Sequence, residues 1–129
     1  RRGMIAGIGS DLVEIDRIRA ALARHGERFA RRILSPAEWP DWASAHDPAR
    51  LLAKRFAAKE AFAKAAGTGL RAPVTLSALA VTHDTLGRPG WAFSDELASW
   101  LQQRGIVHCH LSISDERSQC LAFVVLERA

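Results

Sequence analysis

Ala49-Arg50-Leu51-Leu52-Ala53-Lys54-Arg55-Phe56-Ala57-Ala58-Lys59-Glu60-Ala61-Phe62-Ala63-Lys64-Ala65-Ala66 consists largely of strong helix formers and contains neither glycine nor proline. It predicts the longest helix of the chain, over 49–66. Gly67 stands where a left-handed residue ends a helix, and Pro73 forbids resumption. Ala57, Ala58, Ala61, Ala63, Ala65 and Ala66 give this rod small side chains, as close packing against another element requires. Glu60 and Lys64, four apart, share a face with Phe56 one turn earlier. That spacing alone suits a surface ion pair of little energy; the alanine surroundings suit a packed site.

Upstream, Met4-Ile5-Ala6-Gly7-Ile8-Gly9 reads as a short buried strand whose glycines permit close approach. Ile15, Ile18 and Leu22 then recur at helical spacing, and Gly26 interrupts before Phe29 and Ile33 resume. Ser35-Pro36-Ala37-Glu38 has the cap, proline and glutamate of a helix start. Downstream, 79–83 reads as a strand and 87–90 as a turn. Ser94 caps a helix to about Arg104, and 106–114 with 120–127 form an antiparallel hairpin. Strand, helices, then strands around one further helix predict an α+β fold, a small antiparallel sheet with a long central helix. The edges of so small a sheet need covering, which favours self-association.

With 129 residues, 48% hydrophobic and 25% charged, the chain is expected to be one domain, 1–129, with a core large enough to need no disulfide. No apolar run approaches a membrane span, and the N-terminus does not read as a secretory signal. Met4 is expected to be the natural start, with Arg1 to Gly3 an artificial extension. Cys109 and Cys120 match no zinc spacing and are expected to be reduced thiols in a cytoplasmic protein. The net charge of +4 is concentrated: Arg17, Arg19, Arg24, Arg28, Arg31 and Arg32 face Glu27 alone within 17–32, leaving the remainder at −1. Such a patch implies an acidic partner.

Asp11, after the strand, could cap the following helix. If it converges with Glu60, the two carboxylates supply the hard oxygen ligands of Mg²⁺ and leave room for water and substrate phosphates. Strand alternation sets His108, His110, Ser112 and Ser114 on one face, with Val107, Cys109, Leu111 and Ile113 facing the core. The polar row could be solvated, could line a phosphate pocket, or could offer His108 and His110 to a transition metal. Gly67-Thr68-Gly69 follows a helix instead of preceding one, so it is not a phosphate loop of the glycine-rich kind.

Gly7-Ile8-Gly9-Ser10-Asp11-Leu12-Val13-Glu14-Ile15-Asp16-Arg17-Ile18 resembles the N-terminal motif of bacterial holo-acyl-carrier-protein synthases. Arg55 to Gly69 is similar to their central signature. Gly87-Arg88-Pro89 and His110-Leu111-Ser112-Ile113-Ser114 match two later blocks in the family's order. The resemblance implies the short form of the phosphopantetheinyl transferase superfamily: cytoplasmic homotrimers with active sites at subunit interfaces. These enzymes use Mg²⁺, with Mn²⁺ a possible substitute, to move 4′-phosphopantetheine from coenzyme A to a serine of apo acyl carrier protein. They release 3′,5′-ADP and serve fatty acid biosynthesis.

By motif match, Asp11 and Glu60 become metal ligands and Lys64 a partner of the diphosphate, the three forming the catalytic set. Arg55, Lys64, Gly67, Thr68, Gly69, Arg88, Pro89, His110 and Ser112 become coenzyme contacts. After Ser114 the family often has His where this chain has Asp115, a carboxylate that would repel phosphate, so no nucleotide role passes to it. The basic patch then has an acidic acyl carrier protein as partner, and neither nucleic acid nor membrane is expected. Arg17, Arg24 and Arg28 fall close together on a continuous helical wheel, provided Gly26 does not redirect the chain. Resemblance adds Phe29 and Arg32 to this docking surface. The contrasting readings are a binding module without chemistry, gripping an acidic protein or nucleic acid, and a metal-dependent phosphohydrolase.

Overall fold

A computed structural model describes residues 3–129. Strand β1 (Met4–Glu14) leads into helices α1 (Ile15–His25) and α2 (Glu27–Ile33). A 3₁₀ turn at Pro36–Glu38 and the short α3 (Trp39–Ala43) precede the long α4 (Pro48–Ala66). Strands β2 (Leu79–His83) and β3 (Pro89–Phe93), helix α5 (Asp95–Gln103) and strands β4 (Ile106–Asp115) and β5 (Gln119–Arg128) complete the chain. The expected α+β class holds, with two antiparallel sheets: β1-β5-β4, and the separate pair β2-β3.

The ends of α4 are set locally. Asp47 accepts a hydrogen bond from the Arg50 N–H at 3.3 Å, Pro48 opens the helix, and Gly67 at φ 79° closes it. Helix α4 packs against β1 and β5, with its alanines 57, 58, 61 and 65 buried. At Gly7 and Gly9 a Cβ would run into the carbonyl oxygens of Ala65 and Ala61, so only glycine lets β1 lie this close to the rod. Phe62, fully buried on α4, meets Trp91 and Phe93 of β3 at ring-centroid distances of 5.0 and 5.5 Å. These aromatic contacts join the β2-β3 pair to the same core.

Several sequence expectations change. β1 does not end at Gly9; its ladder with β5 continues to Glu14 opposite Gln119. Asp11 therefore lies inside a strand, opposite Ala122, and caps nothing. Gly26, at φ 65° and ψ −149°, ends α1 and redirects the chain, so Arg17 and Arg24 stand on one helix and Arg28 on the next. The single wheel does not apply. Ser35 to Glu38 forms a 3₁₀ turn, with the Glu38 carboxylate accepting the Ser35 N–H at 2.9 Å. Val107 is 53% exposed instead of core-facing, because a register shift between Ile106 and His108 turns it outward.

Beneath α4 a charged cluster replaces what periodicity would fill with apolar side chains. Lys59 is fully buried and donates to the Ile33 carbonyl at 2.6 Å, the Leu76 carbonyl at 2.8 Å and Glu38 at 2.6 Å. These acceptors match the three donors of an ammonium. Glu38 also accepts from Arg55 at 3.1 Å and the Val81 N–H at 3.0 Å. Burial opposes both charges; at Glu38 the attraction and hydrogen bonds of Lys59 prevail and hold the carboxyl below its usual range. The cluster ties the α2–α3 connection, the segment before β2 and β2 itself to the middle of α4. Both cysteines are free, and burial pushes each thiol up to about 11, which leaves them as unreactive packing groups at neutral pH.

Candidate active site

The close approach at Gly7 and Gly9 carries β1 across α4 so that Asp11 meets the helix near Glu60 and Lys64. Lys64 Nζ lies 3.0 Å from Asp11 Oδ1 and donates to the Ser10 carbonyl at 3.0 Å. Asp11 and Glu60 line one cleft of about 420 Å³, together with Arg17, Ile18 and Ala21 of α1, Phe56 of α4 and Gln119 of β5. Burial and the Asp11 carboxylate push the Glu60 carboxyl above its ordinary value, while Lys64 partly offsets them. The expected meeting of the three groups is present in the fold.

Among the described residues no three His, Cys, Asp or Glu side chains form a metal-binding group. Of the three carboxylates that line the cleft, Asp11, Glu14 and Glu60, the pair Asp11 and Glu60 suits Mg²⁺, a cation often held by one or two carboxylates with water and phosphate completing its shell. The rings of His108 and His110 lie 6.0 Å apart and gain no third ligand of that kind. His110 Nε2 instead pairs with Glu127 Oε1 at 2.9 Å.

The remaining candidates lie elsewhere. Gly67, Thr68 and Gly69 form the turn after α4, where the Thr68 hydroxyl donates to the Gly69 carbonyl at 2.8 Å. Arg88 and Pro89 follow a turn organised by Asp84, which accepts the Leu86 and Arg88 N–H groups at 2.9 and 2.8 Å. His110 and Ser112 project from β4, two strands from β1 and on the face turned away from α4. None of these residues lines the Asp11–Glu60 cleft.

Arg55, expected as a coenzyme contact, is engaged within the fold of the free chain. Its side chain is 4% exposed, and its guanidinium pairs with Glu38 at 3.1 Å and Asp41 at 3.0 Å. Asp115, to which no nucleotide role passed, pairs with Arg50 at 2.8 Å, and Arg50 also grips the Glu116 and Arg117 carbonyls in the β4–β5 turn. That carboxylate fastens the hairpin to α4.

The basic segment separates into engaged and open cations. Arg19 pairs with Asp16 and Asp47, and Arg31 pairs with Glu27 and lies over the Trp39 ring. Arg17, Arg24, Arg28 and Arg32 are exposed and, among the described residues, without an ion pair; Phe29 is half-buried beside them. Arg17, read from the sequence as a docking residue only, also lines the cleft, so the patch runs into it. Gln119 escaped the sequence reading because only the β1–β5 register places it there.

Comparison with known proteins gives the site its family. The sequence pattern of the 4′-phosphopantetheinyl transferase superfamily matches residues 7–124. A holo-[acyl-carrier-protein] synthase of Laribacter hongkongensis is 64% identical over 124 residues, covering 96% of this chain and 99% of its own. The crystal structure of the holo-[acyl-carrier-protein] synthase of Neisseria meningitidis superposes with a TM-score of 0.93 at 47% identity, covering 95% of this chain and 98% of that one. The Bacillus anthracis holo-(acyl-carrier-protein) synthase, solved in complex with CoA (3′,5′-ADP), gives a TM-score of 0.81 at 34% identity over 98% and 99% of the two chains. Two carboxylates on one cleft with a lysine paired to one of them, a matching pattern across nearly the whole sequence and this fold together place the chain in the 4′-phosphopantetheinyl transferase superfamily, among the holo-[acyl-carrier-protein] synthases.

Proposed function

We propose that this protein transfers 4′-phosphopantetheine from coenzyme A to a serine hydroxyl of an acidic apo acyl carrier protein, releasing 3′,5′-ADP and supplying the holo carrier for fatty acid synthesis. The observation that carries this reading is that Asp11, paired with Lys64 at 3.0 Å, lines with Glu60 one cleft that reaches the exposed Arg17. The Bacillus anthracis relative in complex with CoA (3′,5′-ADP) supports the choice of coenzyme.

In the reaction the serine oxygen bonds to the phosphorus that carries pantetheine, and the bond from that phosphorus to 3′,5′-ADP breaks. Asp11 and Glu60 would hold Mg²⁺, with Mn²⁺ as a substitute, which when bound supplies neutralisation of charge on the diphosphate oxygens. Lys64, 54% exposed, has the freedom to meet those oxygens as negative charge grows on the leaving group. Glu60 accepts the serine proton through a water. Arg17, Arg24, Arg28 and Arg32, with Phe29, dock the carrier, whose serine supplies the nucleophile.

The coenzyme contacts expected at Arg88, Pro89, His110 and Ser112 fall to a neighbouring subunit. Two strand spacings separate β4 from β1, roughly 10 Å, and His110 and Ser112, on the outer face of the sheet, do not line the cleft. That face exposes Ile8, Leu12, Leu121 and Phe123 at 60, 60, 42 and 45%. Such a patch supports assembly, read here as a homotrimer. Incubation with apo carrier protein, coenzyme A and Mg²⁺ should add the mass of one phosphopantetheine to the carrier serine. Binding without mass gain would leave a docking module, and phosphate release without carrier would indicate a hydrolase.

A further inference from the structure

His110 Nε2 and Glu127 Oε1 are 2.9 Å apart, and Nδ1 of the same ring makes no hydrogen bond among the described residues. The pair is not the directly opposed one: in the β4–β5 ladder Glu127 stands opposite His108, whereas His110 stands opposite Val125. Glu127 therefore reaches diagonally along the sheet face, past the ring nearest to it in register. Its side chain is 33% exposed against 59% for His110, so the acceptor is the more confined partner. An ionised carboxylate can only accept, which requires the proton of the neutral imidazole to sit on Nε2 and leaves Nδ1 as the outward nitrogen.

We propose that Glu127 is a positioning residue that fixes the tautomer and orientation of His110, so that His110 Nδ1 accepts a hydrogen bond from an N–H or O–H group of coenzyme A. The inference rests on the coenzyme role given to His110 above; the hydrogen bond itself does not. A histidine free to flip presents either nitrogen and either edge to a ligand. One tied through Nε2 presents a single edge, which lowers the cost of ordering it when the coenzyme arrives.

The test is ¹⁵N NMR of the protein labelled at histidine, recorded at alkaline pH, alongside kinetics. Wild-type His110 should be almost wholly the Nε2–H form, and Glu127→Ala should show a mixture of tautomers. The KM for coenzyme A should rise roughly tenfold in Glu127→Ala, with kcat and the carrier KM little changed. Glu127→Gln, whose side-chain carbonyl can still accept, should restore most of the loss. Equal tautomer populations in wild type and Glu127→Ala would overturn the proposal, as would a Gln variant as impaired as the Ala variant. Unchanged coenzyme KM in His110→Ala would remove the coenzyme role of His110 itself. A clear His110→Ala defect with Glu127→Ala kinetically silent would remove only the positioning.

Discussion

Burial and the neighbouring Asp11 carboxylate both raise the proton affinity of Glu60, and Lys64 cancels part of the effect. Ionising Glu60 in the metal-free fold therefore costs stability. The cost is absent below the unfolded value of 4.5 and develops as pH rises through the higher folded value. Glu60→Gln should accordingly raise the melting temperature of the metal-free protein at pH 7.5, by about 1–3 °C, with little difference at pH 4.5. The same change should abolish phosphopantetheine transfer and the thermal shift that Mg²⁺ gives the wild type. Calorimetry with and without Mg²⁺ reads both effects, and a variant with near-normal turnover would remove Glu60 from the metal pair.

At the level of elements, α4 and the β4–β5 hairpin were legible because their signals are local. Asp47, Pro48 and Gly67 bound the helix, and alternation with a polar turn marks the hairpin. The end of β1 was not legible, since pairing with β5 carries the strand to Glu14 and places Asp11 within it. The break at Gly26 was legible, as the glycine suggested, but the direction in which it turns the basic segment was not. Asp11 and Glu60 could be joined only by family resemblance, because their meeting depends on how β1 crosses α4. Lys59 was the least readable: its burial among alanines makes sense only once Ile33, Glu38 and Leu76, distant in sequence, converge on its ammonium. Lys59→Met would leave Glu38 buried with Arg55 as its remaining cation. The expected loss is about 3–5 kcal/mol in urea unfolding. Because Glu38 titrates below 4.5 in the fold, the stability its charge contributes is present above that pH and is lost as pH falls through the folded value. The wild type should therefore lose much of its advantage over Lys59→Met in acid.

At the scale of the whole molecule, two surfaces divide the work. On the proposed function the open arginines of α1 and α2 form the face for an acidic carrier, and Arg28, which does not line the cleft, isolates docking from chemistry. Arg28→Glu should raise the carrier KM about tenfold at low salt, flatten its salt dependence and leave kcat near normal in steady-state assays. On the proposed function the outer sheet face serves the coenzyme, since His110 and Ser112 do not line the Asp11 cleft of their own chain. If a neighbouring chain uses them, the two halves of the site can be damaged in different chains and recovered by mixing. Glu60→Gln and His110→Ala should each be inactive or strongly impaired alone. Co-refolded in equal amounts, they should regain about a quarter of wild-type sites, since random assembly pairs an intact Glu60 with a neighbour's intact His110 at that frequency. Glu60→Gln mixed with itself should regain nothing. Assay of the mixture before and after subunit exchange reads the result directly, and failure to recover activity after verified exchange would return both halves of the site to a single chain.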